Sequence, residues 1–275
     1  MELTFWGVRG TFPVSGQSVN KYGGHTPCAS VVSAKGQTII IDAGTGIKKL
    51  GDKLMDESRG KALYINLLFT HFHLDHIMGL PYFAPLYSPR SSITIYASEF
   101  SEETERYLSG LMSGRYFPCE FSETPAKKAF KKIPEEDFTI GGIQIAHISL
   151  NHPQGCVSYC LREGDKSIVF ATDTEHPDKG IDEKLVAFAS SSDLFIYDAT
   201  FTPEEYESGR QGWGHSTWHE GTKIAREARV KELCISHFNP NHSDIQIDRI
   251  VSAAQQEFAN SAAAREDLKK IFELG

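Results

Sequence analysis

Residues 67–80 read LLFTHFHLDHIMGL: an apolar run ends, and His71, His73, Asp75 and His76 follow within six positions. Imidazole and carboxylate in that mixture suit zinc, manganese or iron(II), and the lack of cysteine in the cluster argues against a closed structural zinc site. Alternation along an extended chain puts His71, His73 and Asp75 on one side. His76 joins them only if the backbone turns there, as in a strand-to-helix loop. Such a fan of ligands suits two metals rather than one. A single histidine here would read as a surface loop residue; four ligand side chains behind a buried strand reverse that reading.

Three further groups stand at the ends of apolar runs: His152 in HISLNHP, Asp173 in FATDTEH and His237 in CISHFNP. Each alone reads as a turn or cap residue. His147, His176 and His242 read as packing, surface or loop residues, and His25 in YGGHTPC as a pocket residue or the holder of a turn.

The elements that must position these groups follow from hydrophobic periodicity. Strand-like runs cover 3–6, 30–34, 38–43, 63–69 and 92–97, then 143–150, 157–163, 167–173, 194–199 and 232–236. Helical patterns occupy 45–57, 101–113, 180–190, 217–229 and 243–273, the last opened by a Ser243/Gln246 capping box. So many strands require two sheets or a barrel. No linker, repeat or low-complexity stretch divides the chain, so one domain over 1–275 is expected, of the α/β (α+β) class. Periodicity alone leaves a duplicated sandwich and a single mixed sheet both open.

The 275 residues, 40% of them hydrophobic, suffice for a sizeable core. No run of 18 apolar residues and no basic-then-apolar start occurs, so a cytoplasmic location without membrane contact is expected. The five scattered cysteines read as buried thiols. With 28 Lys+Arg against 36 Asp+Glu, a net charge of −8 argues against a sequence-independent nucleic-acid binder.

THFHLDH resembles the HxHxDH signature of the metallo-β-lactamase-fold hydrolases. The resemblance implies a four-layer αββα sandwich with a two-metal site on one edge. Carried over residue by residue, it gives His71, His73 and His152 to one metal and Asp75, His76 and His237 to the other, with Asp173 bridging. It implies two divalent ions, zinc first with manganese or iron compatible, which would supply a hydroxide at neutral pH and absorb charge on phosphoryl oxygens.

The stretch WGHSTWHEGTKIAREARVKELCISH, 213–237, is similar to the ribonuclease Z and cyclic-phosphodiesterase branch, in which a GHST-like turn supplies a general-acid histidine. His215 is then the proton donor. A Thr217/Glu220 capping box would set it just before a helix whose positive end disfavours imidazolium. A carboxylate must restore its proton affinity, and Asp198 of IYDATF fills that role, one methylene shorter than the glutamate of ribonuclease Z. The N-terminal FWGVRGTFPVSGQSVNKYGGHTPCASVV also resembles this branch, which further suggests a homodimer.

The catalytic set is therefore Asp75, Asp173, His215 and Asp198. Full ribonuclease Z enzymes carry a long glycine- and proline-rich arm that grips tRNA, and no such insertion is evident. The leading expectation is a dinuclear metal-dependent phosphodiesterase acting on a small cyclic nucleotide, with long nucleic acid not expected as a partner. A ribonuclease Z-like RNA 3′-end endonuclease is the alternative. A carbon-ester, thioester or lactone hydrolase, or a non-catalytic metal-binding sensor, comes third. Residues 101–138 are expected to form a lid or pocket wall. Within them Tyr116 and Phe117, together with His25, are candidate substrate contacts, since stacking on a base is worth about 1–3 kcal/mol. Lys127, Lys128, Lys131 and Lys132 read as a solvated helix face or, less readily, a phosphate-binding rim.

Overall fold

The computed structural model describes residues 1–275. In chain order the elements are β1 Glu2–Gly7, β2 Cys28–Val32, β3 Thr38–Ile41, α1 Ile47–Ser58, β4 Leu63–Leu68, α2 Leu74–Ile77, β5 Ser91–Ala97, α3 Ser101–Leu111, β6 Lys127–Lys132 and β7 Phe138–Ile140. There follow β8 Ile143–Leu150, β9 Cys156–Glu163, β10 Lys166–Ala171, α4 Glu183–Ala189, β11 Leu194–Asp198, α5 Pro203–Glu207, α6 Trp218–Glu227, β12 Leu233–Ser236, α7 Asp244–Glu257, β13 Ser261–Ala263 and β14 Lys269–Ile271.

They build two seven-stranded sheets, ordered β14-β1-β2-β3-β4-β5-β6 and β13-β12-β11-β10-β9-β8-β7. Each sheet is antiparallel on one side and parallel on the other: β3 to β6 in the first, β10 to β13 in the second. Period-two alternation sorts the first sheet's side chains between two cores. Ile39 and Ile41 of β3 face the second sheet, with Leu3, Phe5 and Leu68, and meet Ile145, Tyr159, Leu161 and Val169. Ile40 points the other way, with Ile65, Leu67, Ile93 and Ile95, under α1 and α3. Leu185 of α4, Ile224 of α6 and Ile247 of α7 cover the outer face of the second sheet. The layers run α, β, β, α, as expected. No helix is long and apolar enough to cross a membrane.

All ten strand-like runs form strands, and four more appear. The helix expected over 243–273 stops at Glu257, because Ser261–Ala263 pairs with β12 and Lys269–Ile271 with β1. Pairing with a distant strand outweighs the helical propensity of the alanine-rich segment. Likewise the lysines at 127–132 lie on the edge strand β6, paired in parallel with β5, and not on a helix face. An edge strand is where exposed lysines discourage further pairing.

Candidate metal centre

Ligands come from the C-terminal ends of strands in both sheets, the edge where α/β sheets bind ligands. After β4, residues up to His73 stay extended (φ −61°, ψ 150°) and α2 begins at Leu74, which is the turn that brings His76 round to its neighbours. His71, His73 and His152 form one triad, with ring centroids 4.5 to 4.8 Å apart. Inside it, His73 Nδ1 lies 3.0 Å from His152 Nε2. The outer nitrogens are fixed: His152 Nδ1 donates to the Gly214 carbonyl at 2.7 Å and His73 Nε2 to Gln154 Oε1 at 3.0 Å. Such partners leave the inward nitrogen free to coordinate a cation.

Asp75, His76 and His237 form the second triad. Asp75 Oδ2 is 3.5 Å from His76 Nε2 and 3.4 Å from His237 Nε2. Asp173 stands between the triads, with Oδ1 at 3.1 Å from His237 Nε2 and 4.0 Å from His71 Nε2, and Oδ2 at 3.4 Å from His76 Nε2. Behind the ligands, His76 Nδ1 meets Asp42 Oδ2 at 2.8 Å, His237 Nδ1 meets Thr200 Oγ1 at 2.9 Å, and the Thr11 N–H donates to Asp75 Oδ2 at 2.7 Å. All seven expected ligands are thus brought together.

The donor set fits divalent cations. Nε2 of His71, His76 and His237 and Oδ2 of Asp173 are buried without a hydrogen-bond partner. An orphaned buried polar atom costs about 1–3 kcal/mol, so a convergence of four marks groups shaped for a cation. Charge points the same way. Burial works against ionised Asp173, but His237, His76 and His71 outweigh it and hold the carboxyl well below the usual range; Asp75 is held down similarly, chiefly by His76 and His237. Burial also opposes a charged His76, yet Asp173, Asp75 and Asp42 hold its proton firmly, a proton standing where a cation would. Burial and the neighbouring His76 push His71 well down, so its imidazole is neutral and ready to coordinate.

Backbone geometry shows how tightly the centre is built. Asp42, Asp173 and His237 adopt left-handed φ values of 61°, 59° and 59°, strain that clusters at functional sites. Gly10 has no alternative, since a Cβ there would lie 2.4 Å from the His237 ring.

Beside the second triad, His215 Nδ1 lies 3.0 Å from Asp198 Oδ2 and 3.9 Å from Asp173 Oδ1. The shorter acid still reaches because Asp198, at the end of β11, is locked by the N–H groups of Asp173, Thr200 and Ser216. Burial disfavours imidazolium at His215, but Asp198 first, then Asp173 and Asp75, outweigh it and push its pKa up to about 9. Only half of the capping box forms: Thr217 accepts from the Glu220 N–H, while the Glu220 carboxylate pairs with Lys223.

A cleft of about 430 Å³ opens beside His71 and His73, walled by Phe72, Ile77, Glu99, Tyr107 and Gln154. The segment 101–138 contributes Tyr107 to it. Tyr116 and Phe117 are not brought there: Phe117 packs edge-on against Tyr82 at 5.7 Å under the first sheet, and Tyr116 points to solvent. His25 is likewise absent from this cleft and holds a turn, its Nδ1 on Thr45 Oγ1 at 3.1 Å. His242 is not a loose loop residue; it is buried and bonded to Glu205. His176 is half-buried against Ser216 Oγ, and His147 meets the Pro134 carbonyl.

Asp42, Gln154, Thr200 and Glu175 were not foreseen as site residues. Asp42 ends the apolar run TIIID, the same signal that singled out Asp173 and Asp198. Glu175 accepts from the N–H groups of Gly212 and Gly214 and from the Tyr206 hydroxyl, bracing the turn that carries His215.

A family model described as "Beta-lactamase superfamily domain" matches residues 37–238. The ribonuclease Z of Archaeoglobus fulgidus is 26% identical over 313 residues, covering 96% of this chain and 95% of that protein. The metallo-β-lactamase-fold protein YhfI of Bacillus subtilis superposes with a TM-score of 0.73 at 22% identity, covering 98% of each chain. A diphosphatase of the PhnP family superposes at 0.69 and 21% identity, covering 99% of this chain and 98% of its own. Relatives named ribonuclease Z that align over nearly the whole chain overturn the expectation against long nucleic acid. Net charge averages the whole surface, whereas a phosphate is met by local groups.

Proposed function

Since the chain belongs to the β-lactamase superfamily and carries the donor set of a dinuclear metal-dependent hydrolase, we propose that it is a phosphodiesterase that cleaves RNA, as a ribonuclease Z does. One observation carries the reading: the 3.0 Å His215–Asp198 pair set against the bridging carboxylate. An RNA phosphodiester releases an alkoxide, a poor leaving group that must be protonated as its bond breaks.

His71, His73 and His152 would hold one divalent cation and Asp75, His76 and His237 the other, and such ions would supply water activated at neutral pH and charge neutralisation at the phosphoryl oxygens. The chain's own groups do the rest. With Nδ1 turned to Asp198, the Nε2–H of a protonated His215 is the end free to meet the leaving oxygen. Asp198 keeps that ring both charged and oriented. Asp173, whose Oδ1 reaches both His237 of one triad and His71 of the other while Oδ2 faces His76, keeps them in register. Gly214 joins the two machineries, because its carbonyl orients the ligand His152 while the next residue is the acid itself.

A second reading, hydrolysis of a small cyclic nucleotide, is favoured by the cleft, whose 430 Å³ lies at the small-ligand end of binding sites, about 300–1,000 Å³. The test is one panel on metal-loaded protein: a 3′-extended precursor tRNA, 3′,5′-cyclic AMP and GMP, bis-p-nitrophenyl phosphate, and a thioester or lactone. Endonucleolytic cleavage of the RNA supports the proposal. Turnover of the cyclic nucleotides alone moves it to the second reading. Turnover of the thioester or lactone alone would make it a carbon-ester hydrolase, and failure on every member of the panel leaves a binding protein.

A further inference from the structure

Resting on the phosphodiesterase reading, we propose that the cleft beside His71 and His73 is a base-recognition subsite for guanine, with Phe72 and Tyr107 as its stacking wall and Glu99 as its reader. Phe72 is wedged between Phe69 and Tyr107, with centroids 5.1 and 5.3 Å away, so its ring is set before a ligand arrives. Tyr107 lines the cleft and keeps 38% of its surface exposed, and the buried Ile77 lines it too. Two aromatic rings at the mouth of a half-open cavity suit a flat heterocycle.

Glu99 decides which one. Its side-chain bond is to the Ser98 hydroxyl, which donates to Oε2 at 2.9 Å and leaves Oε1 for a ligand. A bare carboxylate repels a phosphate, so the phosphate end of a nucleotide must lie at the histidines and the base end at Glu99. A carboxylate only accepts. Guanine alone among the four RNA bases presents two adjacent donors, N1–H and the 2-amino group. Adenine and cytosine set a ring acceptor beside their amino group, and uracil flanks its one N–H with two carbonyls. Gln154 adds the complementary donor: its Oε1 is taken by His73, so its amide N–H groups remain for an acceptor such as guanine O6.

The experiment is calorimetric titration of metal-loaded protein with 5′-GMP, AMP, CMP and UMP, using the native chain, Glu99→Gln and Tyr107→Ala. GMP should bind about 10-fold or more tighter than UMP, the scale of one bidentate base contact. Glu99→Gln should bring GMP down to the level of the other three, and Tyr107→Ala should weaken all four. Equal affinities on the native protein, no binding at all, or an equal loss for every base in Glu99→Gln would overturn the proposal; the last would mean that Glu99 meets the ribose. Because binding is read without turnover, an enzyme inert towards bis-p-nitrophenyl phosphate would sink the phosphodiesterase reading while leaving this ranking to be judged by itself.

Discussion

The unpartnered nitrogens of His71, His76 and His237 and the free oxygen of Asp173 separate two kinds of residue that share a small volume. Replacing a ligand should remove metal and activity together: His73→Ala and Asp173→Ala are expected to lose both by elemental analysis and bis-p-nitrophenyl phosphate assay. His215→Ala should keep its metal and lose about 10²-fold or more in rate on an unactivated diester, and much less on a p-nitrophenyl ester, whose leaving group needs no proton. Full turnover of the unactivated diester would remove His215 from its role. With a pKa near 9, His215 holds its proton through neutral pH, so activity should fall as pH rises through a limb at or below that value, cations at Asp75 and Asp173 taking part of their support. Asp198→Asn should move the limb towards the ordinary histidine range. The seven converging donors could be singled out in the sequence because metal chemistry asks for His and Asp at strand ends. Asp42 was not, since its role is to hold one nitrogen of a histidine 34 residues on. Asp42→Asn should weaken metal retention against a chelator by about 10- to 100-fold, the usual cost of losing a partner behind a ligand.

At the scale of elements, the apolar strands were readable because both of their faces meet a core, as in β11 and β12, where every residue is buried. The strands that escaped, β6, β7, β13 and β14, are short or polar and exist only through their partners. The turn from Gly212 to Ser216 was also only half legible, because what shapes it is Glu175. That carboxylate is opposed by burial, yet the Tyr206 hydroxyl and the N–H groups of Gly212 and Gly214 lower its pKa from 4.5. A depressed carboxyl contributes stability above its unfolded value and loses it as pH falls through the folded one. Glu175→Gln should therefore unfold at lower temperature than the native chain at pH 7, with the gap narrowing as pH falls below the ordinary glutamate range. It should also slow turnover, because both the Gly214 carbonyl and His215 ride on that turn. An equal melting difference at pH 7 and pH 3.5 would show that the brace does not act through its charge.

For the whole molecule, the two sheets explain why no local stretch of sequence contains the site. Four of the candidate ligands follow β4 of the first sheet, while His152, Asp173 and His237 follow β8, β10 and β12 of the second, so cations held there would tie one sheet to the other along a single edge. Without them, that edge is held by carboxylate–imidazole contacts among groups that are individually costly to bury. Binding to the folded state alone stabilises by about 2.7 kcal/mol when free metal is 100-fold above its dissociation constant. Stripping the metal should thus lower the melting temperature, and the loosening should be local. Amide hydrogen exchange is expected to quicken around residues 70–77, 151–155, 172–176 and 236–242, where the ligands sit, and to change little in the strand interiors, whose side chains fill the core between the sheets. Uniformly faster exchange would mean that the ions support the sandwich as a whole; unchanged exchange and melting would mean that the edge needs no cation to close, and that the unpartnered atoms at its centre were not shaped by one.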